Sequence, residues 1–279
     1  MDDHGRYLEF RDRLRKERRY QTSPGRARWR LGGWDRLRAA CFHFRLVWIY
    51  VVAQRMIRRG VFDLDAYAER SFKSVRVTEE TGGQIEVTGL EHLAELDGPA
   101  VIIGNHMSSL ETIMMSSMIL PFREVSFVIK QALIEHPIFG PIMRAVPVIP
   151  VGRTNPREDL KAVLTQGEAL LRKGVSVVIF PQATRSVEFD VDAFNTLGAK
   201  LAARAGVPVI PLALKTDFMG NGKWFKDLGP VDPGKTIHFA FGPPIQVQDN
   251  GKQAHETVVE FIRSHIQPWG GTVKGVNQP

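Results

Sequence analysis

Ala100–Leu120, AVIIGNHMSSLETIMMSSMIL, decides the fold. AVIIGN is a continuous apolar run of strand length, the pattern of a strand covered on both faces. SLETIMMSSMIL after it reads as a helix. A strand feeding a helix through a short loop is the unit of a parallel sheet, and the same order recurs downstream. EVSFVIK (124–130) is a strand, HPIFGPIMRAV (136–146) a short helix and VIPVG (148–152) a brief strand. PREDLKAVLTQGEALLRKG (156–174) opens on proline and closes on Gly174, as helices do. VSVVIF (175–180), a helix over DAFNTLGAKLAARAG (192–206), the strands VPVIPLAL (207–214) and TIHFAFG (236–242), and a last helix in HETVVEFIRSHIQ (255–267) complete the alternation. Upstream, a helical stretch over 62–72 leads into the strand QIEVTG (84–89). The expectation is an α/β domain over 75–268 with a largely parallel sheet flanked by helices, and a flexible tail over 269–279.

The chain has 279 residues, 43% of them hydrophobic, enough for one large core. One cysteine, Cys41, excludes an intrachain disulfide and a cysteine zinc cluster, and the opening MDDHGRYLEF has no apolar signal core. Both point to a reducing, cytoplasmic setting. The net charge of +7 is unevenly placed: residues 1–60 carry sixteen Lys and Arg against six Asp and Glu. Residues 1–33 therefore read as a basic arm that docks on a polyanion, either nucleic acid or an anionic membrane. In the segment 34–74 that follows, Trp34, Leu37, Cys41, Phe44, Trp48 and Val51 recur every three or four positions between arginines, as in an amphipathic helix. Its longest apolar run, Leu46–Ala53, spans roughly 12 Å as a helix against about 30 Å of hydrocarbon. A helix lying in the membrane interface fits better than a span, and a helix packed on its own domain is the alternative. With no nucleic-acid recognition motif, the membrane is the expected partner of the arm.

In open parallel sheets the working site lies beyond the carboxyl ends of the strands. The loops there hold GNHMSSLE, KQALIEHP, GRTNP and FPQATRS, which bring His106 and Glu111 together with the cations Lys130, Arg153 and Arg185. One base among several cations suggests chemistry on a phosphate-bearing substrate. Five residues is about 140° of helical turn, so His106 meets Glu111 only if it precedes the helix. Ser108-x-x-Glu111 equally fits a capping box, with Glu111 bonding backbone N–H groups. No G-x-S-x-G elbow surrounds Ser108 or Ser109, which argues against a serine nucleophile. GPVDPGKT (229–236) matches the P-loop pattern formally, but its prolines remove donors and a strand follows it. His106 with Glu111 has no metal-site spacing, and no metal is expected.

NHMSSLE, with His106 and Glu111, resembles the H-x4-D motif of the glycerolipid acyltransferases, and FPQATRS (180–186) resembles their FPEGTRS. KQALIEHPIFGPIMRAVPVIPVGR (130–153) is similar to their second motif and VPVIPLAL to their fourth, all in family order between Gln84 and Val247. The preceding helix looks like the membrane-binding helical motif of the bacterial 1-acyl-glycerol-3-phosphate acyltransferases. The resemblance implies a membrane-associated enzyme on the cytoplasmic face that needs no cofactor. It would move an acyl chain from acyl-CoA or acyl carrier protein to a lysophospholipid, most typically 1-acyl-glycerol 3-phosphate. Another lyso-lipid or glycerol 3-phosphate as acceptor, or a weakly active lipid-binding homologue, are the alternatives. It further implies that His106 is the base, that Glu111 orients it, and that Arg185, Gln182, Thr184, Lys130 and Arg153 bind the phosphate-bearing acceptor. Three residues depart from the family pattern: Glu111 for aspartate, Gln182 for glutamate and Ala183 for glycine. Gln182 loses a charge, which puts the acceptor in question.

Overall fold

The computed structural model describes residues 2–23, 25, 35–182, 184–222 and 228–275. Trp34 and Ala183, singled out above, lie outside them. In chain order the elements are α1 (Asp3–Glu17), β1 (Tyr20–Gln21), α2 (Asp35–Arg58), α3 (Leu64–Glu80), β2 (Ile85–Thr88), α4 (Glu91–Ala94), β3 (Val101–Gly104) and α5 (Ser109–Ile119). There follow β4 (Val125–Lys130), α6 (Gln131–Glu135), α7 (Gly140–Ala145), β5 (Val148–Val151), α8 (Pro156–Arg172), β6 (Ser176–Ile179) and β7 (Glu188–Asp190). α9 (Leu197–Ala205), β8 (Val209–Lys215), β9 (Ile237–Phe241), α10 (Lys252–Ile266) and β10 (Thr272–Lys274) complete the chain.

Eight strands form one sheet in the order β1-β2-β9-β8-β3-β6-β4-β5, and β10 pairs with β7 in a second, two-stranded sheet. The five strands from β8 to β5 all run parallel, so their carboxyl ends share one edge. β9 is antiparallel to β8, which confines the mixed pairing to the other side of the sheet. Alternation along the strands separates two cores. Ile102, Ile210, Leu212 and Leu214 face the layer of α1, α3 and α5, whereas Val101, Ile103, Val209 and Ala213 face α8, α9 and α10. Helices thus cover both faces of a mostly parallel sheet.

Both chain ends differ from the expectation. α1 is capped by Asp2, whose carboxylate accepts the Gly5 N–H at 2.8 Å, and it ends where Arg18 turns left-handed at φ 54°. Its Tyr7, Phe10 and Leu14 lie on one face at helical spacing and are buried, Phe10 against Phe72 at 4.6 Å. Burial of three such side chains is worth about 1.5–3 kcal/mol each. β1 then extends the sheet by pairing with β2. The stretch from Asp3 to Gln21 is therefore docked on the core through Tyr7, Phe10, Leu14 and Tyr20 and is not a free arm, and deleting 1–33 would open that core. At the other end β10 is paired, so 272–274 are not a flexible tail.

α2 departs from a simple amphipathic helix because it is apolar on two faces. Phe42, Leu46, Ile49 and Ala53 are buried. Rotated from them by roughly 140°, Leu37, Phe44 and Trp48 stand 45%, 68% and 49% exposed. The expected stripe is the outer face, and a second stripe docks the helix on the domain. Among the described residues no helix is long and apolar enough to cross a membrane.

α3 runs eight residues past the expected end, and its buried polar residues Ser71, Ser74 and Glu79 all have partners, Ser74 donating to the Ser71 carbonyl at 2.6 Å. Ser71 donates to the Ile113 and Met114 carbonyls, and Glu79 accepts from Tyr20 and Thr22. α9 begins five residues later than expected: the Asp190 carboxylate ties the Asp192 and Ala193 N–H groups into a turn, and Phe194 packs on Phe189. The formal P-loop stretch leads straight into β9, with Lys235 paired to Asp217 at 2.8 Å.

Candidate active site

β3 ends at Gly104, and Asn105 continues its pairing by side chain. Its amide donates to the Leu214 carbonyl and accepts the Leu214 N–H, both at 2.8 Å. That bracket holds the chain against β8 for one more residue and delivers His106 to the carboxyl edge. α5 starts at Ser109, so His106 precedes the helix as its spacing from Glu111 requires.

His106 Nδ1 lies 2.8 Å from Glu111 Oε1. The carboxylate is fully buried and accepts from the backbone N–H of Met107 at 2.8 Å and of Ser108 at 3.0 Å. Its second oxygen takes the Thr216 hydroxyl and lies 2.9 Å from Ser108 Oγ. The Ser108 side chain in turn accepts the Leu110 N–H, completing a capping box. The two readings of Glu111 are thus one geometry: the helix cap is the device that fixes the carboxylate beneath the imidazole. Burial alone would raise the Glu111 pKa, but the His106 ring, Thr216 and the Ser108 N–H hold it below the usual glutamate value. An ionised carboxylate only accepts, so the proton of this bond sits on Nδ1 and the lone pair on Nε2.

The loop after β6 wraps His106 from the other side. Gln182 Oε1 accepts the His106 N–H at 2.6 Å, Ser186 N–H donates to the His106 carbonyl at 2.9 Å, and the Phe180 ring stacks on the imidazole at 4.6 Å. Gln182 is buried with its oxygen engaged on the His106 backbone. A neutral amide oxygen serves an N–H donor, so this position supports His106 without a negative charge.

Arg185 follows in the same loop, within electrostatic reach of Arg153 after β5. Burial lowers the Arg153 pKa, Asp159 opposes that shift and the Arg185 charge adds to it. Arg153 has left-handed backbone, φ 61°, because Asp159 clamps the Gly152 and Arg153 N–H groups at 2.8 and 2.9 Å. Lys130 ends β4 opposite Val151, and Thr184 and Lys130 are both exposed on this edge. The sheet therefore gathers every candidate onto one edge. Hydrogen bonds join His106, Glu111 and Gln182, while Lys130 at the end of β4, Arg153 after β5 and Arg185 after β6 stand on the same edge.

Asn105 and Thr216 are absent from the sequence reading. Each acts across the β3–β8 pair, more than one hundred residues away in sequence, so no local pattern marks it. Thr216→Val keeps the shape of this buried side chain and removes a donor to a carboxylate, which is worth about 1.5–3 kcal/mol. The expected outcome is that much loss of stability in urea denaturation, with most of it recovered in Thr216→Ser.

The arrangement resembles known proteins in sequence and fold. The Acyltransferase family model matches residues 84–215. A 1-acyl-sn-glycerol-3-phosphate acyltransferase of Pseudomonas aeruginosa is 33% identical over 173 residues, covering 62% of this chain and 63% of the relative. The chloroplastic 1-acyl-sn-glycerol-3-phosphate acyltransferase LPAT1 of Arabidopsis thaliana is 36% identical over 140 residues, covering 50% of this chain and 37% of the relative. The match thus spans less than two thirds of either relative. The crystal structure of the 1-acyl-sn-glycerophosphate acyltransferase PlsC from Thermotoga maritima superposes with a TM-score of 0.67 over 85% of this chain and 96% of that one, at 17% identity, and so shares the fold. Residues 84–215, which carry His106, Glu111 and the β6 loop, form an acyltransferase-family domain.

Proposed function

We propose that this protein transfers a fatty acyl group from the thioester of acyl-CoA or acyl carrier protein to the free hydroxyl of 1-acyl-glycerol 3-phosphate, giving phosphatidic acid. The observation that carries this reading is the imidazole held through Nδ1 by a buried, pinned carboxylate inside the family domain. The names of the curated relatives support the choice of acceptor.

In the proposed step Nε2 of His106 takes the acceptor proton as the hydroxyl oxygen bonds to the thioester carbonyl carbon. The adduct collapses with cleavage of the C–S bond, and the same proton passes to the departing thiolate. Glu111 keeps the tautomer and balances the transient imidazolium. No cofactor or metal enters the step, because the thioester already activates the acyl group. Arg185 and Arg153 hold the acceptor phosphate, since two guanidiniums that repel each other both gain from a dianion between them. Lys130 and Thr184 supply further donors, and Gln182 keeps the His106 backbone in place. Arg185→Lys retains the charge and loses the planar fork, so acceptor KM is expected to rise about tenfold, the effect of roughly 1.4 kcal/mol, with little change in kcat.

The exposed face of α2 is the proposed contact with the cytoplasmic leaflet, with the enzyme peripheral to the bilayer. Trp48→Glu is expected to release the protein from anionic vesicles in flotation even at low salt, because it places a charge in the middle of the apolar face. The test of the acceptor is kcat/KM across 1-acyl-glycerol 3-phosphate, glycerol 3-phosphate and a lysophospholipid lacking a terminal phosphate. The reading requires the first to lead, and equal rates on all three would remove the phosphate from it.

A further inference from the structure

Away from the His106 edge, α1, α2 and α3 enclose a cavity of about 160 Å³ lined by Asp3, Arg6, Arg45, Lys73, Arg76 and Glu80, with Phe72 and Val77 as its apolar wall. It shares no residue with the His106 network. Four cations stand against two carboxylates. Glu80 is shared by Arg45 and Arg76, and Asp3 pairs with Lys73, which leaves two positive charges in excess at the wall. Charge held in a partly buried site is costly unless an anion completes it. Arg45 Nη2 is bonded to Glu80, whereas Arg45 Nη1 is buried with no hydrogen-bond partner. The volume is well above the roughly 10–15 Å³ that one water needs.

Arg45 also lines a second space. With Ala40, Cys41 and Phe44 it borders an open, apolar groove on α2, where Phe44 stacks on Trp48 at 6.5 Å. A cationic cavity and an apolar groove that meet at one arginine match an amphiphile with an anionic head and a hydrocarbon chain.

We propose that the cavity binds the phosphate headgroup of an anionic membrane lipid, whose chain lies along the α2 groove, as a second lipid site separate from the acceptor site. The proposal rests on the reading that the outer face of α2 meets a bilayer. A bound lipid would tie α1 and α3 to the membrane surface through the same contact that seats α2, adding headgroup selectivity to apolar adhesion. The groove favours a lipid over free phosphate, because phosphate alone leaves the apolar surface uncovered.

The test uses the full chain and short-chain, water-soluble phosphatidylglycerol, with short-chain phosphatidylcholine and inorganic phosphate as comparisons, read by titration calorimetry. Vesicle flotation runs alongside, with phosphatidylcholine alone and with about a fifth phosphatidylglycerol. Arg6→Glu and Arg45→Leu alter the cavity, and Arg58→Glu makes the charge change of Arg6→Glu at the exposed end of α2, outside it. Wild type and Arg58→Glu are expected to bind one phosphatidylglycerol saturably, with binding weakened tenfold or more in both cavity variants. Arg6 lies at the partly exposed rim, so Arg6→Glu keeps the test valid if Arg45→Leu melts early. Equal weakening by Arg6→Glu and Arg58→Glu would reduce the effect to diffuse surface charge and overturn the proposal. So would binding of phosphatidylcholine, or of free phosphate, as tight as that of phosphatidylglycerol. Acyl transfer in neutral detergent micelles separates the two readings: activity there without lipid binding sinks the cavity alone, and lipid binding without activity under any condition sinks the enzymatic reading alone.

Discussion

His106→Ala is expected to lower kcat by about 10²- to 10⁴-fold, the usual yield of a positioned general base, with the fold left intact. The second half of that statement follows from the hydrogen-bond network. When the imidazole is removed, Glu111 keeps the Met107 and Ser108 N–H groups and the Thr216 hydroxyl, so the carboxylate remains satisfied. The ring lies at the mouth of the site with 15% of its side chain exposed, and its loss opens no closed cavity. Initial rates and a thermal melt measured together check this. A melt within a few degrees of wild type beside a rate above a tenth of wild type would take the base role away from His106.

Glu111→Gln is expected to damage both activity and stability, because one carboxylate performs two tasks. The amide has a single acceptor oxygen where the carboxylate offers two, and its NH₂ must face donors of the Met107–Ser108 turn or the Thr216 hydroxyl. Loss of charge-assisted bonds to a buried anion is worth about 1.5–3 kcal/mol each. The imidazole also loses the partner that fixes its tautomer, a change that costs about 10⁴ in kcat in hydrolase triads. The pH dependence has a definite sign. The folded-state pKa of Glu111 lies below its ordinary value of 4.5, so its stabilisation is fully present above that pH and is lost as pH falls through the folded value. The stability gap between wild type and Glu111→Gln should therefore narrow as the solution is acidified through the folded-state value. Glu80 and Asp217 are held low by their Arg and Lys partners in both proteins and cancel in the comparison. Urea unfolding at a series of pH values measures it.

The strands around the site were legible because a strand covered on both faces must be apolar throughout, as VIIG and SVVI nearly are. His106 and Glu111 were legible as a pair because both belong to one local turn. Its two readings could not be separated by spacing, since a capping box and a base–acid pair place the same residues at the same offsets. What escaped the sequence is non-local or very short. Thr216 and Asn105 matter only once β8 lies beside β3, and β1, β7 and β10 are strands of two or three residues with too little pattern to see. The charge of the first sixty residues was visible, but it masked the Tyr7, Phe10 and Leu14 stripe that binds α1 into the core. α2 escaped for the opposite reason: a helix apolar on two faces supports both a docked and a membrane-facing reading, and each stripe serves one of them.

The central claim is that an acyl chain passes directly from a thioester to 1-acyl-glycerol 3-phosphate at His106. Its most direct test is a transfer assay with purified protein, an acyl thioester labelled in the acyl chain, and that acceptor, following lipid product, free thiol and protein-bound label together. The account predicts label in phosphatidic acid with one thiol released per acyl group, no label on the protein when the acceptor is withheld, and product and thiol formation both slowed about 100-fold or more with His106→Ala. Thiol release without labelled phosphatidic acid, or label retained on the protein in the absence of acceptor, would contradict it.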